Sequence, residues 1–307
     1  MDKINLKKVN FENKSPFDLE NESGYQEWRQ AKLDNLPDFK EIKIESESRI
    51  SKAEITAMRN QCNLFNFSVF KYACPPADPE SALRLLGESF GLKDIDANLC
   101  SEDSGISEIT VKKEIDGGSY IPYTNKQIGW HCDGYYNPPG QEIRAMLLYC
   151  HQPAVSGGEN SFLDHEIAYI RIRDKNPDWI RALTAPDAFT IPANIEGNRI
   201  IRPEVTGPVF KPTSDGLNLH MRYSARKKNV RWASNSATKS AANFLLQLFD
   251  SDESHILNLK MERGQGILSN NILHKRTSFL DTNKKNQKRV IYRARYHNKV
   301  ASQKMEP

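Results

Sequence analysis

Two spacings of apolar residues divide the chain near residue 105. Before it, the spacing is mostly helical. Residues 1–45 form a polar arm that leads into a short helix around Gly24–Leu33 and is expected to pack on a partner. Ser51 caps a helix from Lys52 to about Cys62, with Glu54 completing a capping box. A strand follows at Phe67–Tyr72. In "DPESALRLLGESFG", Pro79 stands near a helix start, Leu83, Leu85 and Leu86 supply a buried face, and Gly91 ends it. From Ile106 on, alternation and short apolar runs dominate. "SEITVKKEIDGGSYIPYT" reads as a hairpin turning at Asp116-Gly117-Gly118, and residues 142–154 as an apolar strand. "GGENSFLD" reads as a glycine-marked turn opening another strand. Residues 165–183 read as helical, broken before Pro177. "GPVFKPTSDGLNLHMRY" reads as a hairpin turning at Asp215-Gly216. Residues 238–252 read as an amphipathic helix with Ala242, Leu245, Leu246 and Phe249 on one face. "GQGILSNNILHKR" and "KRVIYRARYHNK" are two more strands joined by a charged loop. The pattern predicts a mainly β chain with helical insertions, a sandwich or barrel carrying an N-terminal helical layer. We expect one domain over 1–307, divided into the arm, a helix and strand layer (46–105) and the β core (106–300).

Composition narrows the function classes. The 307 residues carry a formal net charge of +4 with both signs mixed along the chain, which argues against a nucleic-acid footprint. The five cysteines form no CxxC pair, so neither a zinc ribbon nor a redox dithiol is indicated, and a reducing cytoplasm is expected. No secretory leader and no run of eighteen apolar residues is present, so no membrane span is expected.

Candidate chemistry starts at "IGWHCDGYYNPP", residues 128–139. On a strand, His131 and Asp133 share a face while Trp130 and Cys132 point away. Two ligands from one strand can grip one metal ion, and a third must come from elsewhere. Two histidines and one carboxylate on one octahedral face favour non-haem Fe(II) with open positions. A bare HxD also arises by chance, and a lone histidine such as His274, at the end of an apolar strand, is more often a half-buried core residue. Arg289, Arg293 and Arg295 fall on one face of the last strand, where three guanidiniums need anions unless the strand is a solvated edge. Asn160 and Ser161 follow the Gly-Gly turn as further donors.

The order HxD, GGEN, a downstream histidine and then "RVIYR" resembles the TauD/TfdA-type family of Fe(II)/2-oxoglutarate-dependent dioxygenases, from roughly Phe67 to Tyr296. The resemblance implies a distorted double-stranded β-helix (jelly-roll) core with helical insertions. It implies Fe(II) ligands at His131, Asp133 and His274. It assigns Arg293 to the distal carboxylate of 2-oxoglutarate, with Arg295 a rival and Arg289 nearer the metal end or a neighbouring acidic group. Asn160 occupies a position where the family often has threonine. The implied reaction consumes 2-oxoglutarate and O₂, releases succinate and CO₂, and hydroxylates a small polar metabolite such as an amino acid, organic acid or sulfonate. Tyr135, Arg222, Arg295 and Asn125 are the candidate substrate contacts, with Tyr120, Tyr123 and Tyr136 nearby. A dioxygenase acting on a macromolecule, a jelly-roll binding protein without turnover and a zinc hydrolase stay open as alternatives. The long arm leaves room for a homo-oligomer.

Overall fold

The protein, seen here as a computed structural model, is described over residues 15–34, 40–96, 105–112, 121–226, 229–251, 253–282 and 287–300. Two sheets position everything else. The larger has six strands in the order Ile42–Ile44, Phe67–Tyr72, Gln265–Ser269, Ala145–Gln152, Val290–Tyr296, Ile106–Ile109. Its first two strands are parallel and the remaining pairs antiparallel. The smaller has four antiparallel strands, Leu257–Leu259, Asn160–Leu163, Leu273–Arg276 and Ile128–His131.

The Ala145–Gln152 strand is apolar on both faces because both are covered. Met146, Leu148 and Cys150 face Phe162 of the smaller sheet, together with Phe67, Val69, Ile267, Ile272 and Ile291. Leu147 and Tyr149 face the other way, onto the helices Lys52–Phe65 and Pro79–Ser89, through Met58, Cys62, Leu83 and Leu86. A third cluster covers the outer side of the smaller sheet: Trp130, Leu163 and Leu273 pack on the helices His165–Lys175, Pro177–Thr184 and Ser236–Phe249. The layers therefore run helices, six strands, four strands, helices.

Most sequence expectations hold. The capping box at Ser51 and Glu54 forms, the strand Phe67–Tyr72 appears as read, and the helical stretch breaks at Asn176 before Pro177. The Asp215-Gly216 hairpin joins Phe210–Pro212 to Leu219–Met221, with Gly216 at φ 66. Three readings change. First, residues 264–276 are two strands rather than one. Gln265–Ser269 lies in the larger sheet and Leu273–Arg276 in the smaller, with a corner at Asn270-Asn271. Asn271 takes φ 53, a left-handed turn that asparagine tolerates better than most residues. Second, Leu246 is 38% exposed; the buried face of its helix carries Ala241, Ala242, Leu245, Leu248 and Phe249. Third, the described part of the arm packs on its own chain. Phe17, Trp28 and Tyr169 pack edge to face, and the Tyr25 hydroxyl donates to Asp174 at 2.7 Å. The strand Ile106–Ile109 borders Val290–Tyr296, and the expected Asp116 turn lies outside the described residues. Among the described residues no helix is long and apolar enough to cross a membrane.

Candidate metal centre

The smaller sheet brings two histidines together by register. His274 pairs directly with His131 across an antiparallel ladder, and their ring centroids lie 4.2 Å apart. The strand ends at His131, so Asp133 stands two residues beyond in a turn rather than on the strand itself. Gly134 makes that turn at φ 65, and a Cβ there would meet Ile143 at 2.3 Å. Asn271 fixes the turn from below. Its Oδ1 accepts from the Asp133 amide at 2.8 Å, and its Nδ2 donates to the carbonyls of Asp133 at 2.9 Å and Ile143 at 2.6 Å. One ligand atom from each of His131, Asp133 and His274 lies within 4.8 Å of the others.

The imidazoles are set for coordination through Nε2. His131 Nδ1 lies 2.9 Å from the Gly129 carbonyl and His274 Nδ1 lies 3.0 Å from the Ile272 carbonyl. A carbonyl only accepts, so each Nδ1 carries the proton and each Nε2 keeps its lone pair. Those Nε2 atoms lie 3.4 and 3.8 Å from Asp133 Oδ1. Burial pushes His274 down to about 4, with His131 adding to the effect, so its imidazole is neutral at pH 7. Burial acts to raise Asp133, but Arg293, His131, Arg295 and His274 outweigh it and hold the carboxyl well below its ordinary range. Asp133 Oδ2 is buried and accepts no hydrogen bond among the described residues, although Arg293 Nη1 is 3.1 Å away. A buried carboxylate oxygen with an ion neighbour but no aligned donor suits a metal ligand.

The three arginines of the last strand separate. The ladder to Gln152 and Cys150 shifts register between Val290 and Ile291, next to Arg289, which lines a cavity together with Ile291 of the inter-sheet core. Arg293 sits at the triad through Asp133. Arg289 lies beside a small cavity lined by Gly158, Asn160, Lys260 and Met261. Arg289 is 5% exposed, lies over the Phe279 ring at 5.1 Å, and its guanidinium makes no hydrogen bond among the described residues. Of the two places expected for Arg289, the metal end is held by Arg293, and Arg289 has Asp281 as its acidic neighbour, its amide donating to Oδ1 at 3.0 Å. Arg295 is occupied by Asp96 and by the Tyr136 hydroxyl, which accepts from Nη1 at 3.0 Å.

The other expected site residues scatter. Tyr135 stands edge-on to His131 with centroids 6.5 Å apart, and Tyr136 packs against it at 5.2 Å. Arg222 is buried away from the triad and donates to the carbonyls of Val205, Gly207 and Phe189. Asn125 is exposed, its carbonyl accepting from the Phe279 amide. Ser161 donates to Asn258 at 2.6 Å, Tyr123 is buried in the inter-sheet core, and Tyr120 lies outside the described residues. Sequence reasoning missed Asn271. Its signal was the doubled asparagine splitting two apolar runs, a turn mark that the single-strand reading passed over.

The sequence profile of the family described as "Taurine catabolism dioxygenase TauD, TfdA family" matches residues 31–295. The chain belongs to this family. That family is described as one of dioxygenases, and the two histidines and one carboxylate brought together here are a donor set that suits Fe(II). The chain is 30% identical over 173 residues to a uridine-5'-phosphate dioxygenase of an Amycolatopsis species, a match covering 54% of this chain and 60% of that enzyme. A uridine-5'-phosphate dioxygenase of a Streptomyces species is 27% identical over 201 residues, covering 63% of this chain and 71% of that one. Among solved structures, the non-haem iron oxygenase OrfP with Fe and alpha-ketoglutaric acid superposes at TM-score 0.59, 14% identity, covering 81% of each chain. Asparagine oxygenase with Fe(II), 3-hydroxyasparagine and succinate gives TM-score 0.57 at 14% identity, covering 80% of this chain and 78% of that one. These two show that the dioxygenase shares its fold with non-haem iron oxygenases.

Proposed function

We propose that the protein hydroxylates a small polar metabolite, using an Fe(II) centre held by His131, Asp133 and His274. The observation that carries this is the meeting of one ligand atom each from His131, Asp133 and His274 within 4.8 Å, both Nε2 atoms lying beside the Asp133 carboxylate. Those donors fit a ferrous ion: two imidazoles and one carboxylate leave positions for a chelating co-substrate and O₂. The bound metal would supply O₂ activation, coupled to loss of CO₂ from 2-oxoglutarate and insertion of oxygen into a substrate C–H bond. The chain's own residues position and shield. Arg293 balances the charge of Asp133, the Gly129 and Ile272 carbonyls fix the imidazole tautomers, and Tyr135 walls the side next to His131.

For 2-oxoglutarate, we place the far carboxylate at Arg289 and Asn160. Arg289 offers unused donors beside a cavity, and burial lowers it to about 10, so an anion there removes a real cost. Arg293 is already committed to Asp133. Arg222 and Asn125 drop from the substrate contacts, the first because carbonyls take its donors, the second because it faces solvent. Within the small polar class, the relatives favour a phosphorylated nucleoside over an amino acid. The sequence match is to enzymes named for uridine 5'-phosphate, whereas the amino-acid oxygenases share the fold. The two sheets are read as halves of a distorted double-stranded β-helix, with 1–307 as one domain. The four described cysteines are unpaired, which suits a reducing cytoplasm.

The test is succinate formation by the Fe(II)-loaded protein with 2-oxoglutarate and a panel holding uridine 5'-phosphate, asparagine, arginine and taurine. Stimulation by a panel member supports the reading; a protein that binds neither Fe(II) nor 2-oxoglutarate removes it. Arg289→Gln should weaken 2-oxoglutarate binding at least about tenfold with Fe(II) affinity retained. A larger effect from Arg293→Gln on 2-oxoglutarate alone would return the anchor to Arg293.

A further inference from the structure

Two further arginines, Arg202 and Arg226, lie on elements that border the metal-ligand cluster and meet no carboxylate among the described residues. The wall made by Tyr135 and Tyr136 carries Arg202 over the Tyr136 ring, 5.7 Å from its centroid. Arg202 is half-buried and spends only two donors, Nη2 on the Pro192 carbonyl at 2.7 Å and Nη1 on the Pro203 carbonyl at 3.1 Å. Arg226 approaches from the opposite element. Ser224 bridges His131 and the Ala225 amide donates to the Trp130 carbonyl at 2.8 Å, so the next step of this register sets Arg226 opposite Gly129. Gly129 presents no side chain there, and the nearest atom a Cβ would meet is 3.7 Å away, on Ala225. Among the described residues neither guanidinium meets a carboxylate, whereas Arg231 close by in sequence is paired with Glu204 at 2.6 Å. Arg202 thus reaches the site through Tyr136 and the Tyr135 ring that stands edge-on to His131, and Arg226 through the strand register at Gly129, two residues from His131 on the same face. Burial lowers Arg202, as expected of a desolvated cation without an anion.

We infer that Arg202 and Arg226 form a subsite for a dianionic phosphate monoester on the substrate, which holds the carbon to be oxidised against the His131 face. The subsite is separate from the Arg289 cavity, so 2-oxoglutarate and substrate use different cations. A phosphate suits two guanidiniums that arrive from different elements, because its oxygens can accept from both at once. The inference rests on the dioxygenase reading, and the experiment separates the two.

The probes are uridine 5'-phosphate and uridine, added to the protein loaded with Fe(II) and 2-oxoglutarate, with binding followed calorimetrically and turnover by succinate. Uridine 5'-phosphate should bind and stimulate succinate release, and uridine should bind at least about tenfold more weakly. Arg202→Gln and Arg226→Gln should each raise the Kd of uridine 5'-phosphate at least about tenfold and leave the Kd of uridine nearly unchanged. Arg202→Lys and Arg226→Lys should recover part of the loss. Binding of 2-oxoglutarate by each variant reports that its fold is intact. Equal affinity for uridine and its phosphate, unchanged affinity in both glutamine variants, or no binding of uridine 5'-phosphate while 2-oxoglutarate still binds overturns the subsite. Failure of the wild type to bind Fe(II) and 2-oxoglutarate overturns the dioxygenase site itself, and the subsite with it.

Discussion

The carboxylate of Asp133 stands past the end of its strand, so the sheet ladder does not hold it; Asn271 does. Three hydrogen bonds from one buried amide side chain tie the Asp133 turn to the corner between the sheets. Asn271→Ala strands those backbone groups and forces alanine to φ 53, so a loss of roughly 1–3 kcal/mol is expected on chemical denaturation. Asn271→Gly accepts that φ and should fold, yet bind Fe(II) about 10- to 100-fold more weakly, as measured by anaerobic titration. At this scale the sequence pointed to the cluster of His131, Asp133 and His274, because histidine and aspartate two apart with a distant histidine are chemically distinctive. It hid the order of the arginines. Strict alternation puts Arg289, Arg293 and Arg295 on one face, but which of them meets Asp133 and which lines the cavity by Asn160 is settled only by how the two sheets pack.

At the scale of elements, the central strand Gln265–Ser269 has neighbours on both sides and tolerates no added bulk at Gly266. A Cβ there would meet the Leu148 carbonyl oxygen at 2.5 Å and the Phe70 ring at 2.4 Å. Because the oxygen is backbone and cannot swing aside, Gly266→Ala should cost about 1–3 kcal/mol, seen as a lower urea midpoint. Glu142 joins the turn after the metal-binding strand to the Phe210–Met221 hairpin, accepting from Lys211 Nζ at 2.8 Å. Burial acts to raise Glu142, but the Lys211 hydrogen bond and charge win and hold it at about 2, below its ordinary 4.5. Between those values the unfolded chain binds the extra proton, so stability from this group is complete above about pH 4.5 and is lost as pH falls toward 2. Glu142→Gln should flatten that limb of the stability profile, read from urea midpoints between pH 2 and 5; an unchanged slope would remove the ion pair from the account. Element types were legible from apolar spacing. The corner at Asn270-Asn271 was not, since both flanking runs are apolar and their assignment to different sheets is a tertiary fact.

For the whole molecule, the site joins distant parts of the chain. The proposed ligands are His131, Asp133 and His274, and the cations proposed to flank them are Arg202, Arg226, Arg289 and Arg293. A metal that binds only this assembled arrangement must stabilise the fold by mass action. At a free concentration one hundred times its Kd, a divalent ion adds about 2.7 kcal/mol. Thermal unfolding under anaerobic Fe(II) should therefore move upward by several degrees, and a chelator should reverse it. The N-terminal helical layer followed from the change of apolar spacing near residue 105, whereas the second layer of helices, on the outer side of the smaller sheet, was visible only as separate insertions. The arm's partner did not follow, because an amphipathic segment does not say whose surface it covers. The most direct trial of the central claim is an anaerobic Fe(II) titration, with 2-oxoglutarate present, of the wild type beside His274→Ala. One ferrous ion per wild-type chain, with affinity lost in the variant, is the predicted result. A His274→Ala protein that takes up Fe(II) and 2-oxoglutarate as tightly as the wild type contradicts it.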